Sequence, residues 1–128
     1  MPIDHVKLPV SDLDASRAFY SAALAPLGWK LVWDKVPTLG FGRGNGSDDD
    51  EPFALELTAG PISRTHVALT ADTTEQVDAF HEAAVTAGGE DNGSPGERPY
   101  GGCYYAAFVL DPDGHNLEVV FHGDRPRR

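Results

Sequence analysis

Two histidines and two glutamates carry the strongest chemical signal in this chain. His5 and His66 each sit near the start of an alternating apolar stretch, in Asp4-His5-Val6-Lys7-Leu8 and Thr65-His66-Val67-Ala68-Leu69. Glu56 and Glu118 each lie between aliphatic residues, in Leu55-Glu56-Leu57 and Leu117-Glu118-Val119. Two imidazoles with one or two carboxylates suit a divalent metal ion such as Ni, Co, Zn, Mn or Fe. Thiolate-rich binding is excluded, because Cys103 is the only cysteine. A carboxylate in such a set can also move a proton, which makes Glu56 and Glu118 the candidate catalytic groups.

Taken singly, a histidine at a strand start or a glutamate among aliphatics is ordinarily a solvent-facing side chain. The pairs gain weight because they recur. Asp4–Gly28 aligns without a gap on Thr65–Gly89, 61 residues later: His5 meets His66, Leu8 meets Leu69, Ala18-Phe19 meets Ala79-Phe80 and Gly28 meets Gly89. At the far ends, Phe53–Leu57 lies against His115–Val119 with a displacement of 62, which matches Glu56 to Glu118. The chain thus reads as one domain, residues 1–128, made of two repeats at about 3–58 and 64–122.

The elements that must position these residues follow from periodicity. In Ile3–Val10 the apolar Val6, Leu8 and Val10 alternate with His5 and Lys7, so both of the latter point away from a helix-covered face. The same parity turns His66, Glu56 and Glu118 away from their aliphatic neighbours. Ser11 is the expected cap of a first helix carrying Leu13, Phe19 and Ala23, with Gly28 as its stop. A second helix is expected from Asp72 or Thr73 to Gly88-Gly89. Further strands are expected at Trp29–Lys35, Leu39–Gly42, Phe53–Thr58, Tyr104–Leu110 and Asn116–Phe121. Asp111-Pro112-Asp113-Gly114 is a turn between the last two. Gly42–Pro52 reads as a solvated hairpin loop, and Asp91–Gly102, without periodicity, as a loop. His81, His115 and His122 read as surface histidines.

The formal net charge of −10 argues against nucleic acid and against anionic membranes, which require a basic face. No run approaches the roughly 20 apolar residues of a membrane span, and no signal peptide is visible. A single cysteine suits a reducing cytoplasm. Gly42-Arg43-Gly44-Asn45-Gly46 lacks the Lys-Ser/Thr of a phosphate loop and runs into acidic Asp48–Glu51.

Asp4-His5-Val6, Asp12-Leu13-Asp14-Ala15-Ser16-Arg17-Ala18-Phe19-Tyr20, Thr65–Leu69 and Asp111–Glu118 together resemble the vicinal oxygen chelate superfamily, also described as glyoxalase/bleomycin resistance protein/dioxygenase. The resemblance covers about residues 3–121. It implies an α+β fold of tandem βαβββ modules whose sheets curl around a metal cavity. It also implies metal ligands at His5, Glu56, His66 and Glu118, the glyoxalase I-like set, and a homodimer in which His5 and Glu56 of one subunit join His66 and Glu118 of the other. Extradiol dioxygenases and fosfomycin-modifying members use two His and one Glu, matching His5, His66 and Glu118. The chain departs from glyoxalase I at Pro9 and at Ala59-Gly60, where that enzyme holds glutathione, so glutathione is not the expected substrate.

The expected function is metal-dependent lyase or isomerase chemistry on a small substrate that chelates through two neighbouring oxygens, with Glu56 or Glu118 moving a proton between adjacent carbons. Trp33, Phe41, Arg98, Tyr100, Tyr104 and Tyr105 are the candidate substrate contacts, weighed against core or dimer packing. The alternatives are a non-catalytic drug-binding resistance protein and an Fe(II) extradiol-type dioxygenase.

Overall fold

Asp12, rather than Ser11, starts the first helix: its side chain accepts a hydrogen bond from the Ala15 N–H at 3.0 Å. Ser11 is drawn off by a distant partner, Asp113, whose carboxylate accepts from its hydroxyl at 2.6 Å. The computed structural model describes residues 3–43 and 52–123. Most of the expected Gly42–Pro52 hairpin lies outside the described residues.

Each half folds as strand, helix and three further strands. The first contains β1 (Val6–Val10), α1 (Leu13–Ala23), β2 (Lys30–Lys35), β3 (Thr38–Gly42) and β4 (Phe53–Leu57). The second contains β5 (His66–Thr70), α2 (Thr74–Thr86), β6 (Glu90–Glu97), β7 (Tyr104–Leu110) and β8 (Asn116–His122). The strand orders are the same in both sheets, β1-β4-β3-β2 and β5-β8-β7-β6. In each, the first strand runs parallel to the last and the other pairs are antiparallel. This is the expected α+β architecture of βαβββ modules.

Apolar alternation places the core. Leu8, Val10, Phe41, Phe53 and Leu55 of the first sheet are buried together with Phe19 and Tyr20 of α1. Leu117, Val119, Ala107 and Val109 of the second sheet join the same cluster with Val77, Phe80 and Ala84 of α2. α2 opens on Thr73, whose hydroxyl accepts from the Gln76 N–H at 3.1 Å, while the Gln76 amide oxygen accepts from the Asp72 N–H at 2.7 Å. These reciprocal bonds satisfy donors that a helix start leaves open.

The segment expected as a loop at Asp91–Gly102 is largely β6. Its composition hid it: among the described residues β6 is an edge strand paired only with β7, and its register breaks between Asp91 and Gly93 and again before Gly96. Those breaks erase the period-two pattern. They also tolerate Pro95, which an inner strand would exclude.

The two modules meet through α1 against α2 and through the turn at 111–115, while no described strand of one sheet is hydrogen-bonded to the other. That turn is a latch. The buried Asp111 accepts from the Tyr20 hydroxyl at 2.5 Å and from the His115 N–H at 2.8 Å. Burial first, and the Asp111 carboxylate second, push the Tyr20 phenol well above its ordinary range. His115 corrects the expectation of a surface residue, being only 1% exposed. Its Nδ1 accepts from the Thr65 N–H at 3.0 Å, and its Nε2–H donates to the Pro9 carbonyl at 2.7 Å. A buried imidazole persists because both nitrogens are satisfied.

Candidate functional site

β5 and β8 are parallel with His66 opposite Asn116 and Ala68 opposite Glu118. His66 and Glu118 are therefore diagonal neighbours on the sheet face that α2 leaves open, and side chains at that spacing reach each other. His66 Nε2 lies 3.0 Å from Glu118 Oε1. His66 Nδ1 lies 3.0 Å from the Asn116 carbonyl, which can only accept, so Nδ1 carries a proton. In the neutral ring the Nε2 lone pair then faces a carboxylate lone pair. A cation between them, either a proton or a metal ion, makes the contact favourable.

Glu118 is 3% exposed, and the half-exposed ring of His66 forms part of its cover. Its second oxygen accepts from the Tyr104 hydroxyl. A buried carboxylate is costly unless positive charge or several donors compensate it. The face continues with Phe108, opposite Glu118 on β7, whose ring stacks with His66 at 6.1 Å between centroids. Tyr104 sits edge-on between Tyr100 and His122, at 4.9 and 5.0 Å. The Arg98 guanidinium lies 5.4 Å above the Phe108 ring.

The first sheet carries a different set. Lys7 is opposite Ala54 and Pro9 is opposite Glu56. With Leu8 aligned on Leu69, the partner Leu55 corresponds to Val119, so the last strands correspond with a displacement of 64. By register, Ala54 occupies the place of Glu118, and Glu56 stands one pleat farther along the same face. Lys7 takes the diagonal position beside Glu56 that His66 takes beside Glu118, with Nζ 3.6 Å from Oε1. His5 precedes β1, is exposed, and directs Nδ1 to Asp4 at 2.7 Å. A carboxylate on Nδ1 orients the ring so that Nε2 is the donor presented outward.

The structure thus joins His66 to Glu118 and leaves His5 and Glu56 on the other module. Among the described residues, no group of three or more His, Cys, Asp or Glu side chains converges within the chain. The donor chemistry of His66 and Glu118 fits a divalent ion as half of a coordination set.

The expected substrate contacts divide. Trp33 is opposite Gly40 on the open face of the first sheet, is 39% exposed, and has Lys35 stacked over it at 4.9 Å. Arg98, Tyr100 and Tyr104 are on the second sheet's open face. Phe41 is corrected: it faces α1, is fully buried, and packs 6.0 Å from Tyr20. Tyr105 faces α2 and donates to Asp78 at 2.7 Å. Phe108 was missed by sequence reasoning, although its place opposite Glu118 follows once the β7–β8 turn is located.

The chain is similar to several solved structures. A glyoxalase/bleomycin resistance protein from Albidiferax ferrireducens matches with a TM-score of 0.83 at 27% identity, covering 95% of this chain and 100% of that one. A glyoxalase-related enzyme from Fulvimarina pelagi matches with a TM-score of 0.75 at 26% identity, covering 98% and 91%. A glyoxalase I mutant from Zea mays matches with a TM-score of 0.70 at 28% identity, covering 94% of this chain and 46% of that one. A search of curated protein sequences found no significant match. The sequence profile of the Glyoxalase/Bleomycin resistance protein/Dioxygenase superfamily matches residues 2–119. With that profile spanning nearly the whole chain and the paired βαβββ sheets in place, the protein belongs to the Glyoxalase/Bleomycin resistance protein/Dioxygenase superfamily.

Proposed function

We propose that this protein is a divalent-metal-dependent enzyme of lyase or isomerase type, acting on a small molecule that presents two neighbouring oxygens. The observation that carries this reading is the His66–Glu118 contact: a buried carboxylate 3.0 Å from an imidazole nitrogen whose ring is oriented by a backbone carbonyl. His66 and Glu118 would hold the metal from one subunit, with His5 and Glu56 contributed by a second copy in a homodimer. Bound there, the ion would supply Lewis-acid polarisation of the substrate oxygens.

The protein's own residues divide the remaining work. Glu118 is buried and held by Tyr104 and His66, which suits a fixed ligand. The Glu56 side chain is 44% exposed and, among the described residues, is tied only by the long Lys7 contact, which suits a carboxylate that moves and carries a proton between adjacent carbons. Phe108, Tyr104 and Tyr100 line the face on which substrate would lie and exclude water from it. Trp33 would reach substrate from the first sheet's open face. The lone cysteine fits a reducing cytoplasm as the setting. Among the described residues no helix is long and apolar enough to cross a membrane.

The test is metal content per subunit of purified, untagged protein, followed by screens of aldehydes and thiol adducts. Near-stoichiometric Ni, Co, Zn or Mn with turnover supports the reading. Iron favours the dioxygenase alternative. Failure to bind any ion after incubation defeats the catalytic reading and leaves a small-molecule binder.

A further inference from the structure

Arg98 is a fixed cation on the open face of the second sheet, in a chain whose formal net charge is −10. It belongs to a row across the sheet. The guanidinium carbon is 5.4 Å from the Phe108 ring, and that ring is 6.1 Å from the His66 imidazole. The guanidinium is held in place by its own segment: Nη1 donates to the Gly96 carbonyl at 2.9 Å and Nη2 to the Ser94 carbonyl at 2.7 Å. A weaker contact joins Nη1 to the Glu97 carbonyl at 3.4 Å.

Guanidinium has five N–H donors. These three carbonyls take up at most three of them, and among the described residues Nε–H and one Nη2–H meet no acceptor. Glycines stand where side chains would crowd the group: a Cβ on Gly93 or on Gly96 would lie 3.3 Å from its terminal nitrogens. The irregular register of β6 thus builds a seat for the guanidinium and leaves two donors unspent. A planar carboxylate is the acceptor that matches such a pair, because both of its oxygens can bond at once.

We propose that Arg98 is the anion-binding end of this site, and that the ligand is a small planar carboxylic acid. Its two neighbouring oxygens lie at His66 and Glu118, its body runs along Phe108, and its carboxylate meets Arg98. This inference rests on the metal-site reading above for the oxygen-binding end. Fixed donors give it specificity: a neutral analogue with the same two oxygens leaves those two donors unmatched.

The experiment compares catechol with 3,4-dihydroxybenzoate, which adds a carboxylate across the ring from the same two oxygens. Binding of each to cobalt-loaded full-length protein is measured by calorimetry, for wild type, Arg98→Gln and Arg98→Lys. Charge-assisted bonding predicts that wild type favours the acid by about tenfold or more. The ratio of affinities falls towards one in Arg98→Gln, and Arg98→Lys recovers only part of it, because a point charge lacks the fork. Comparing ratios within each variant removes any change in the amount of folded protein. Catechol binding with a ratio near one in wild type, or a ratio that survives in Arg98→Gln, overturns the assignment of Arg98 while leaving the metal site standing. If cobalt is retained and neither probe binds, the oxygen-binding end is wrong as well, and the proposal falls with it.

Discussion

The second sheet places His66 beside Glu118, with Phe108 opposite the carboxylate; at the same register the first sheet has only Ala54 opposite Gly40, and its own pair, Lys7 beside Glu56, stands one pleat farther along. Both halves keep the strand order, the helix and the parallel pairing of first and last strands. They differ in what the open face carries. In the first half an ammonium neutralises a half-exposed carboxylate across 3.6 Å. In the second an imidazole meets a buried one at 3.0 Å, beneath tyrosine and phenylalanine. One duplicated frame thus supports two electrostatic solutions. A long ammonium contact leaves its carboxylate half exposed and able to move, whereas an imidazole nitrogen at 3.0 Å sits against a carboxylate that is buried and fixed.

The largest expected effect separates the two carboxylates. Glu118→Gln lowers cobalt affinity by about a hundredfold or more, the upper end of what loss of supporting groups alone produces, while Glu56→Gln lowers it by about tenfold or less. Competition against a chelator measures both. Equal losses would erase the distinction between the sheets.

The next effect falls on the join between the halves. His115→Ala leaves the Thr65 N–H and the Pro9 carbonyl without their buried partner and opens a cavity, at a cost of about 2–4 kcal/mol in urea unfolding. A cost near zero would show that the helices alone hold the modules together.

Tyr20→Phe removes the donor to Asp111 and costs about 1–3 kcal/mol at neutral pH. It also changes the alkaline limb. The folded state keeps the Tyr20 phenol protonated well above its ordinary value, chiefly through burial. The unfolded chain releases that proton at about pH 10. The phenol's contribution is therefore complete below that pH and is lost as pH rises toward the folded value. Melts between pH 8 and 11 show this loss in wild type and a smaller one in Tyr20→Phe. The smallest effect is at Lys7: its pair is half exposed, so Lys7→Ala shifts stability by less than about 1 kcal/mol.

The sequence made much of this frame legible. Alternation around Val6, Leu8 and Val10 and around Val67 and Leu69 located β1 and β5 and the faces of their polar residues. The apolar stripes through Phe19 and Phe80, each ending at glycine, located both helices. The relative position of Glu56 was not legible, and the reason is physical. A slip of two residues keeps every side chain on its face, so hydrophobic alternation cannot detect it; only a slip of one would turn the face over. The displacement of 62 fits the residue types, whereas the strand pairing follows 64. The latch was hidden differently. Asp111, Asp113 and His115 have the composition of a solvated turn, and their role depends on Tyr20, Ser11 and Pro9, about 90 to 106 residues away in sequence. β6 was lost because its two register breaks and Pro95 mimic a loop.

As proposed, the His66–Glu118 pair of the second sheet is the nucleus of a metal site. The most direct measurement is a crystal structure of cobalt-loaded protein, with the ion located by its anomalous scattering. The expected peak lies within about 2.0–2.2 Å of His66 Nε2 and a Glu118 oxygen, the usual range for divalent ions with these donors. A fully loaded crystal with its peak elsewhere, at His81 or His122 for example, and none between His66 and Glu118, would contradict it.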